Sequence, residues 1–347
     1  MTSSSESAGR SPGAQAESGT AASGTPVHFE IPSPADDGSR WRIEGELRIP
    51  AGQGPRTPAT VQVLIPGLTY DRRYWTAPGP HDYAGHMTRA GYAVLAFDRL
   101  GTGASSHPPA DQVTADAHVA VLHHIIQALR TGDHQFEQVI TVGHSFGSGI
   151  AIMEAARHHD ADGVLVSGML HAFTTLYDQV TEFFHPAVED PVIASADLPE
   201  WYMTQRPGRR ATMLEYPDGI DSELSAHNEF IKSTATLGEG LSLPETYKDE
   251  YSSAIDVPVL IVVGQHDALF CGEAVGFGAD EAVVHAYEEA FYKSAESVET
   301  RVIPNTGHAL NLHRSAGEWF GVAQSWADRH MWAGSADSVP QGCAKVV

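Results

Sequence analysis

The sequence predicts an α/β fold: a mostly parallel central sheet with helices on both faces, interrupted by one inserted, mainly helical segment. Three observations carry this reading. Short β-branched apolar runs alternate with helical patterns along most of the chain, and such alternation builds a parallel sheet covered on both sides. Three of the runs, VQVLI, AVLAF and VLIVV, are continuous and apolar but for Gln62, as strands buried on both faces are. The alternation then stops between residues 171 and 254, an aromatic-rich stretch that is helix-like in places and reads as an insertion.

Taken in order, residues 1–25 are rich in Ser, Gly, Ala and Pro and hold almost no large apolar side chains. They cannot bury enough surface to offset their ordering entropy, so a disordered tail is expected. This stretch also lacks the basic and apolar regions of a secretory signal, which makes the cytoplasm the expected location. Strands are expected at 41–49, 60–66, 92–98, 138–144, 163–168, 257–264 and 300–304. The first alternates apolar and polar residues, as an exposed antiparallel edge does. Val119, Leu122, Ile126 and Leu129 recur at helical spacing, and so do the apolar residues from Ile150 to Ala156. Residues 26–170 and 255–333 therefore form the core and 171–254 the insertion, with 334–347 a second loose end.

Composition excludes several classes of function. No apolar run approaches the roughly 18 residues that span a bilayer, so an integral helical membrane protein is excluded. Of the 347 residues, 21 are Lys or Arg and 44 are Asp or Glu, a net charge of −23. So acidic a chain repels phosphate backbones and anionic lipid, which argues against nucleic-acid or membrane partners and for a small molecule. Cys271 and Cys343, the two cysteines, are too few for a disulfide framework and lack metal-site spacing.

Gly143-His144-Ser145-Phe146-Gly147 matches G-x-S-x-G, and so does Gly9-Arg10-Ser11-Pro12-Gly13 in the tail. Only the first follows an apolar strand and opens a helical run. A sharp strand-to-helix turn needs small residues where backbones approach, and Gly143 and Gly147 supply them. The turn would lift the Ser145 hydroxyl above the strand end and aim the Phe146 N–H at the same point. The competing reading is a structural serine capping a helix. A serine nucleophile needs a base, and the base needs an orienting carboxylate. Asp267 lies just beyond the VLIVV strand and His308 in a Gly-containing loop after the last strand, in the order such sites use. His313 and His266 are rival bases. His308 is preferred because it follows its strand directly. A second oxyanion donor is expected from Ile65-Pro66-Gly67-Leu68, where Leu68 N–H joins that of Phe146. Thr69, Tyr70, Trp75 and His144 would shape the pocket floor, with Trp201 and Tyr202 reaching it from the insertion.

With these residues in place the sequence resembles the α/β-hydrolase superfamily, from residue 40 to residue 332. The likeness rests on GHSFG, on Asp267 and His308 in the family's order and on the PGL loop. It rests also on Asp98-Arg99-Leu100-Gly101-Thr102-Gly103-Ala104-Ser105, similar to the D-x-x-G-x-G-x-S turn of many capped members. What the resemblance implies is an α/β-hydrolase fold carrying a Ser-His-Asp hydrolase site without cofactor, and a lid inserted after the sixth strand. Many members have His-Gly in the oxyanion loop. Pro66-Gly67 here keeps the turn and loses the histidine's side-chain hydrogen bonds.

Other patterns carry less. Gly101-Thr102-Gly103-Ala104-Ser105-Ser106 lacks the third glycine of a dinucleotide loop, and His107-Pro108-Pro109 forbids a helix start for a pyrophosphate. The pairs His123-His124 and His158-His159 read as helix-surface histidines, with no metal expected. Arg206, Arg209 and Arg210 form either an anion site or a solvated face. The expected function is hydrolysis of a carboxylic ester, lactone or thioester of a small-to-medium, mainly apolar substrate through an acyl-enzyme. Serine at 145, where an alkyl-enzyme would need aspartate, argues against dehalogenase and epoxide-hydrolase chemistry. A non-hydrolytic enzyme on the same triad (a lyase or cyclase of a biosynthetic pathway) and a ligand receptor keeping the pocket are the alternatives.

Overall fold

The computed structural model describes residues 24–34, 38–51, 59–193, 197–271 and 279–331. Eight strands make the central sheet: β1 (Thr25–Pro32), β2 (Arg40–Arg48), β3 (Thr60–Ile65), β4 (Ala93–Phe97), β5 (Gln138–His144), β6 (Gly163–Ser167), β10 (Val259–Gly264) and β11 (Val298–Ile303). The insertion between β6 and β10 supplies β7 (Phe184–Pro186), β8 (Tyr202–Gln205) and β9 (Ala235–Thr236). The α-helices are α1 (Tyr83–Arg89), α2 (Ala115–Thr131), α3 (Phe146–His158), α4 (Arg210–Leu214), α5 (Ser222–Phe230), α6 (Leu237–Ser242), α7 (Asp249–Ala254), α8 (Glu281–Glu289) and α9 (Ala316–Met331).

The central sheet runs in the order β1-β2-β4-β3-β5-β6-β10-β11. All pairs from β4 to β11 are parallel, while β1 on β2 and β2 on β4 are antiparallel. The expected α/β class is therefore the observed one, and each of the seven expected strands is present within two residues of its expected ends. Strands β3, β4, β6 and β10 are buried at every residue, as near-continuous apolar runs require when helices cover both faces.

Two expectations need correction. The alternating strand β2 is antiparallel but is not the edge, because β1 pairs along its length from Thr25↔Leu47 to Pro32↔Arg40. Prolines at both ends of TPVHFEIP mask β1 in the sequence, yet they fall where an edge strand tolerates them. Thr25, placed by the sequence at the end of the tail, opens that strand. Residues 1–23 and the C-terminal stretch 334–347 lie outside the described residues. The insertion is mainly helical, as expected, and adds a three-stranded antiparallel sheet, β7-β8-β9. Among the described residues no helix is long and apolar enough to cross a membrane.

The histidine pairs are not all surface groups. His124, His158 and His159 are exposed, but His123 Nδ1 donates to Asp160 Oδ2 at 2.8 Å and stacks on His158. Beside them Glu154 of α3 is fully buried, and neither of its oxygens accepts an N–H or O–H bond. The polar atoms of His123, Glu154 and Asp160 lie within 4.8 Å of one another. Burial, then the bond to Asp160, pushes the Glu154 carboxyl up to about 10, so a proton shared with Asp160 closes the pair. A folded-state pKa above the ordinary 4.5 means that this group's stabilisation is complete below that value and drains away as pH rises toward 10. Glu154→Gln should flatten that slope: melting curves near pH 4 should nearly coincide, and at about pH 9 the variant should melt higher than the parent.

Candidate active site

Strand β5 ends at His144 and helix α3 begins at Phe146, so one residue makes the turn between them. Ser145 does so with φ 53° and ψ −121°, a left-handed conformation that costs a non-glycine residue on the order of 1–3 kcal/mol. Only bare backbones fit around it. A Cβ at Gly143 would run into Ser148, and one at Gly147 into the Ile65 carbonyl. Ser145 occupies the N-cap position of α3, yet its hydroxyl makes no capping bond. The helix-cap reading of this serine therefore fails, and Ser145 lines a cavity of about 270 Å³.

His308 lines the same cavity. Its Nδ1–H donates to Asp267 Oδ2 at 2.9 Å, both residues being buried. The other Asp267 oxygen accepts the N–H groups of Leu269 at 2.9 Å and Phe270 at 3.2 Å. Those bonds hold the carboxylate in place, and its contact with Nδ1 fixes the tautomer that leaves His308 Nε2 as an acceptor. Ser145 Oγ and His308 are not joined by a hydrogen bond in this structure. Their common border is the close packing of Gly67, His144, Ser145, Gly168 and His308. A Cβ at Gly67 would lie 3.1 Å from that of Ser145, and one at Gly168 would lie 3.4 Å from the His308 ring.

The rival bases are otherwise committed. His313 donates from Nδ1 to the Ala309 carbonyl and accepts from the backbone N–H groups of Tyr216 and Gly307 at Nε2. Burial lowers its pKa to about 4, so it is a neutral brace under the loop that carries His308. His266 stacks on Tyr216 with ring centroids 3.8 Å apart.

The N–H groups of Leu68 and Phe146 make no hydrogen bond among the described residues, and both residues border the cavity. The histidine that Pro66 replaces is compensated from elsewhere. Arg99 Nη2 donates to the Gly67 carbonyl at 3.1 Å, and its guanidinium lies 5.3 Å from the Phe146 ring. One buried cation thus braces both segments that present these N–H groups. Its counter-ion is Glu239 of α6, bonded through Oε1 to Arg99 Nη1 and to His118 Nε2. Through Oε2 the same carboxylate accepts the Thr236 N–H, completing a capping box on α6. Burial alone would raise the Glu239 pKa, but Arg99 and His118 hold it below the ordinary carboxylate value.

Of the pocket residues named from sequence, Tyr70 and His144 line the cavity. His144 is buried against Tyr74, with ring centroids 4.4 Å apart, and burial then the nearby His308 keep it neutral. The other four do not line it. Thr69 lies behind the wall, bonded to Gln205 and Arg210. Trp75 packs in the core against Tyr74, Tyr83 and Trp319. Trp201 is 63% exposed, and Tyr202 donates its hydroxyl to the Pro108 carbonyl. The insertion instead contributes Tyr177, Val180, Phe184, Met203, Leu243 and Tyr247 among others, which an aromatic count could not single out. Nor do the three arginines form one anion site. Arg206 and Arg209 are exposed, while Arg210 is buried.

The model of the "Alpha/beta hydrolase family" matches residues 62–320. No curated protein matches the sequence significantly. Among solved structures, Est1E of Butyrivibrio proteoclasticus, bound to ferulic acid, is similar at TM-score 0.52 and 16% identity, covering 87% of this chain and 99% of its own. A bromoperoxidase of Bacillus anthracis gives TM-score 0.59 at 16% identity, over 87% of this chain and 100% of its own. A monoacylglycerol lipase of Paleococcus ferrophilus gives 0.57 at 16% identity, over 88% of this chain and 99% of its own. At these identities the likeness is one of fold.

Breaking a buried ion pair from one side leaves the other charge uncompensated, at a cost of about 3–5 kcal/mol. Arg99→Ala should lower unfolding stability by that amount in urea titrations. Joining Arg99→Met to Glu239→Gln, which keeps the carbonyl of the capping box, should restore most of it.

Proposed function

The chain belongs to the alpha/beta hydrolase family, and from that premise we propose that it is a serine hydrolase. Its substrate is a carboxylic ester, lactone or thioester of small-to-medium size and mainly apolar character, cleaved through an acyl-enzyme. The observation that carries the reading is the Asp267–His308 bond of 2.9 Å opening on the cavity that also holds a serine freed from helix capping.

Each group then has one task. His308 Nε2 takes the proton of Ser145 Oγ as that oxygen attacks the acyl carbon. The developing oxyanion accepts the N–H groups of Leu68 and Phe146, donors of a kind typically worth about 3 kcal/mol each. Asp267 stabilises the imidazolium without taking its proton. His308 returns the proton to the leaving oxygen or sulfur as the acyl bond breaks. Water, deprotonated by His308 in turn, releases the acid and regenerates the serine. The missing Ser145–His308 hydrogen bond fits a site that tightens only around substrate. The cavity, about 270 Å³, lies at the small end of ligand pockets of roughly 300–1,000 Å³, and its mostly apolar wall suits an acyl chain or aromatic acid.

Mass spectrometry after treatment with a fluorophosphonate should find a single adduct on Ser145, lost in Ser145→Ala and slowed on the order of a thousandfold or more in His308→Ala. Asp267→Asn should lower nitrophenyl ester turnover by about 10⁴-fold with the fold intact. An unlabelled Ser145 in the parent protein would overturn the proposal.

A further inference from the structure

Gln205 closes strand β8 and is buried in the wall of the cavity. Its Oε1 receives two donors, Thr69 Oγ1 at 3.1 Å and Arg210 Nη1 at 2.6 Å. Those donors settle which end of the amide is which, since the reverse orientation would set an NH₂ group against a guanidinium. Nε2 therefore points away from Arg210. One of its hydrogens meets Met213 Sδ at 3.4 Å, a weak acceptor. The second meets no acceptor among the described residues.

Arg210 itself is buried, and among the described residues no carboxylate lies against it. Its Nη1 donates to the Thr69 carbonyl and hydroxyl and to Gln205, its Nη2 donates to Asn228 Oδ1, and it lies 4.3 Å from the Tyr70 ring. Asn228 in turn donates to Glu215, so the counter-charge is one residue removed. A charge-assisted bond to an amide oxygen polarises the whole amide and strengthens the donor at its far end. Around that donor the wall is apolar, with Met203, Met213 and Leu214. A lone N–H facing such a wall is costly until an acceptor arrives.

We propose that Gln205 is a substrate-recognition subsite, whose Nε2–H binds a neutral acceptor oxygen, a carbonyl, ether or hydroxyl, on the apolar body of the substrate away from the bond that is cleaved. The proposal rests on the reading of this cavity as an acyl-substrate site and narrows the substrate class to oxygenated apolar acyl compounds. A carboxylate is not the fit, because an apolar wall imposes a large desolvation cost on it.

The test compares nitrophenyl octanoate with a series bearing one oxo group at successive chain positions. At one position kcat/KM should exceed that of the plain ester by about ten-fold, through KM. In both Gln205→Leu and Gln205→Glu, the latter keeping the shape and the bond from Arg210 but no donor, that ratio should fall to about one. Equal kcat/KM across the series in the parent protein, or a preference that survives both variants, overturns the subsite. Should Ser145 resist the fluorophosphonate and no ester turn over, the hydrolase reading fails separately. The subsite is then read by calorimetric titration of the Ser145→Ala variant with methyl octanoate and its oxo analogues, where the same ten-fold difference is expected and equal affinities overturn it.

Discussion

The left-handed backbone at Ser145 is the constraint on which the rest of the site depends. A residue with a side chain holds φ 53° only where its surroundings leave no other path, and here they do not. Strand β5 is pinned between β3 and β6, and α3 is buried along its first ten residues. Ser145 N–H donates to the Ser167 carbonyl, and the Ser145 carbonyl accepts from Ser148. Relaxing the turn would break that cross-strand tie. The same geometry explains both glycines of the motif, the withdrawal of the hydroxyl from helix capping and the close passage of the loop after β3. The strained backbone at this position is a consequence of packing several residues away.

A second layer of control is electrostatic. Apolar area alone would let the insertion slide over the cavity, because one greasy surface fits another in many registers. Buried ions are less forgiving. Arg99 meets Glu239 and the Gly67 carbonyl at once, and Lys232 is buried between Asp190 and Glu229 within the insertion. Each such contact is satisfied in one arrangement and expensive in its neighbours. The loop after β3, the turn after β4, helix α2 and helix α6 are in this way locked to one another through three side chains, Arg99, Glu239 and His118.

Much of this was legible in the chain itself. Near-continuous apolar runs announced the buried strands, and residue type plus order along the chain pointed to Ser145, Asp267 and His308, which the fold brings to one cavity or to one hydrogen bond. What escaped was of another kind. Strand β1 carries a proline at each end of its alternating run, so local propensity spoke against it while its partner β2 supplied the pairing. Glu239 lies 140 positions from Arg99, and no periodicity links residues so far apart. Trp201 and Tyr202 illustrate the reverse error: aromatic character marks an interface but does not say which one. The pocket wall was set by the small sheet β7-β8-β9, whose strands of two to four residues are too short to leave a pattern.

Strands β6 and β10 are hydrogen-bonded neighbours, in register from Val164↔Val259 to Ser167↔Val262, although the whole insertion is spliced between them in the chain. Because the two strands run parallel, the insertion departs at the carboxyl end of β6 and has to cross back over the sheet to re-enter at the amino end of β10, with α7 packed against α3 on the return. That return leg doubles as the crossover between two neighbouring strands, so an engineer who replaces the stretch lining the cavity has to stop short of Asp249 and leave α7 in place.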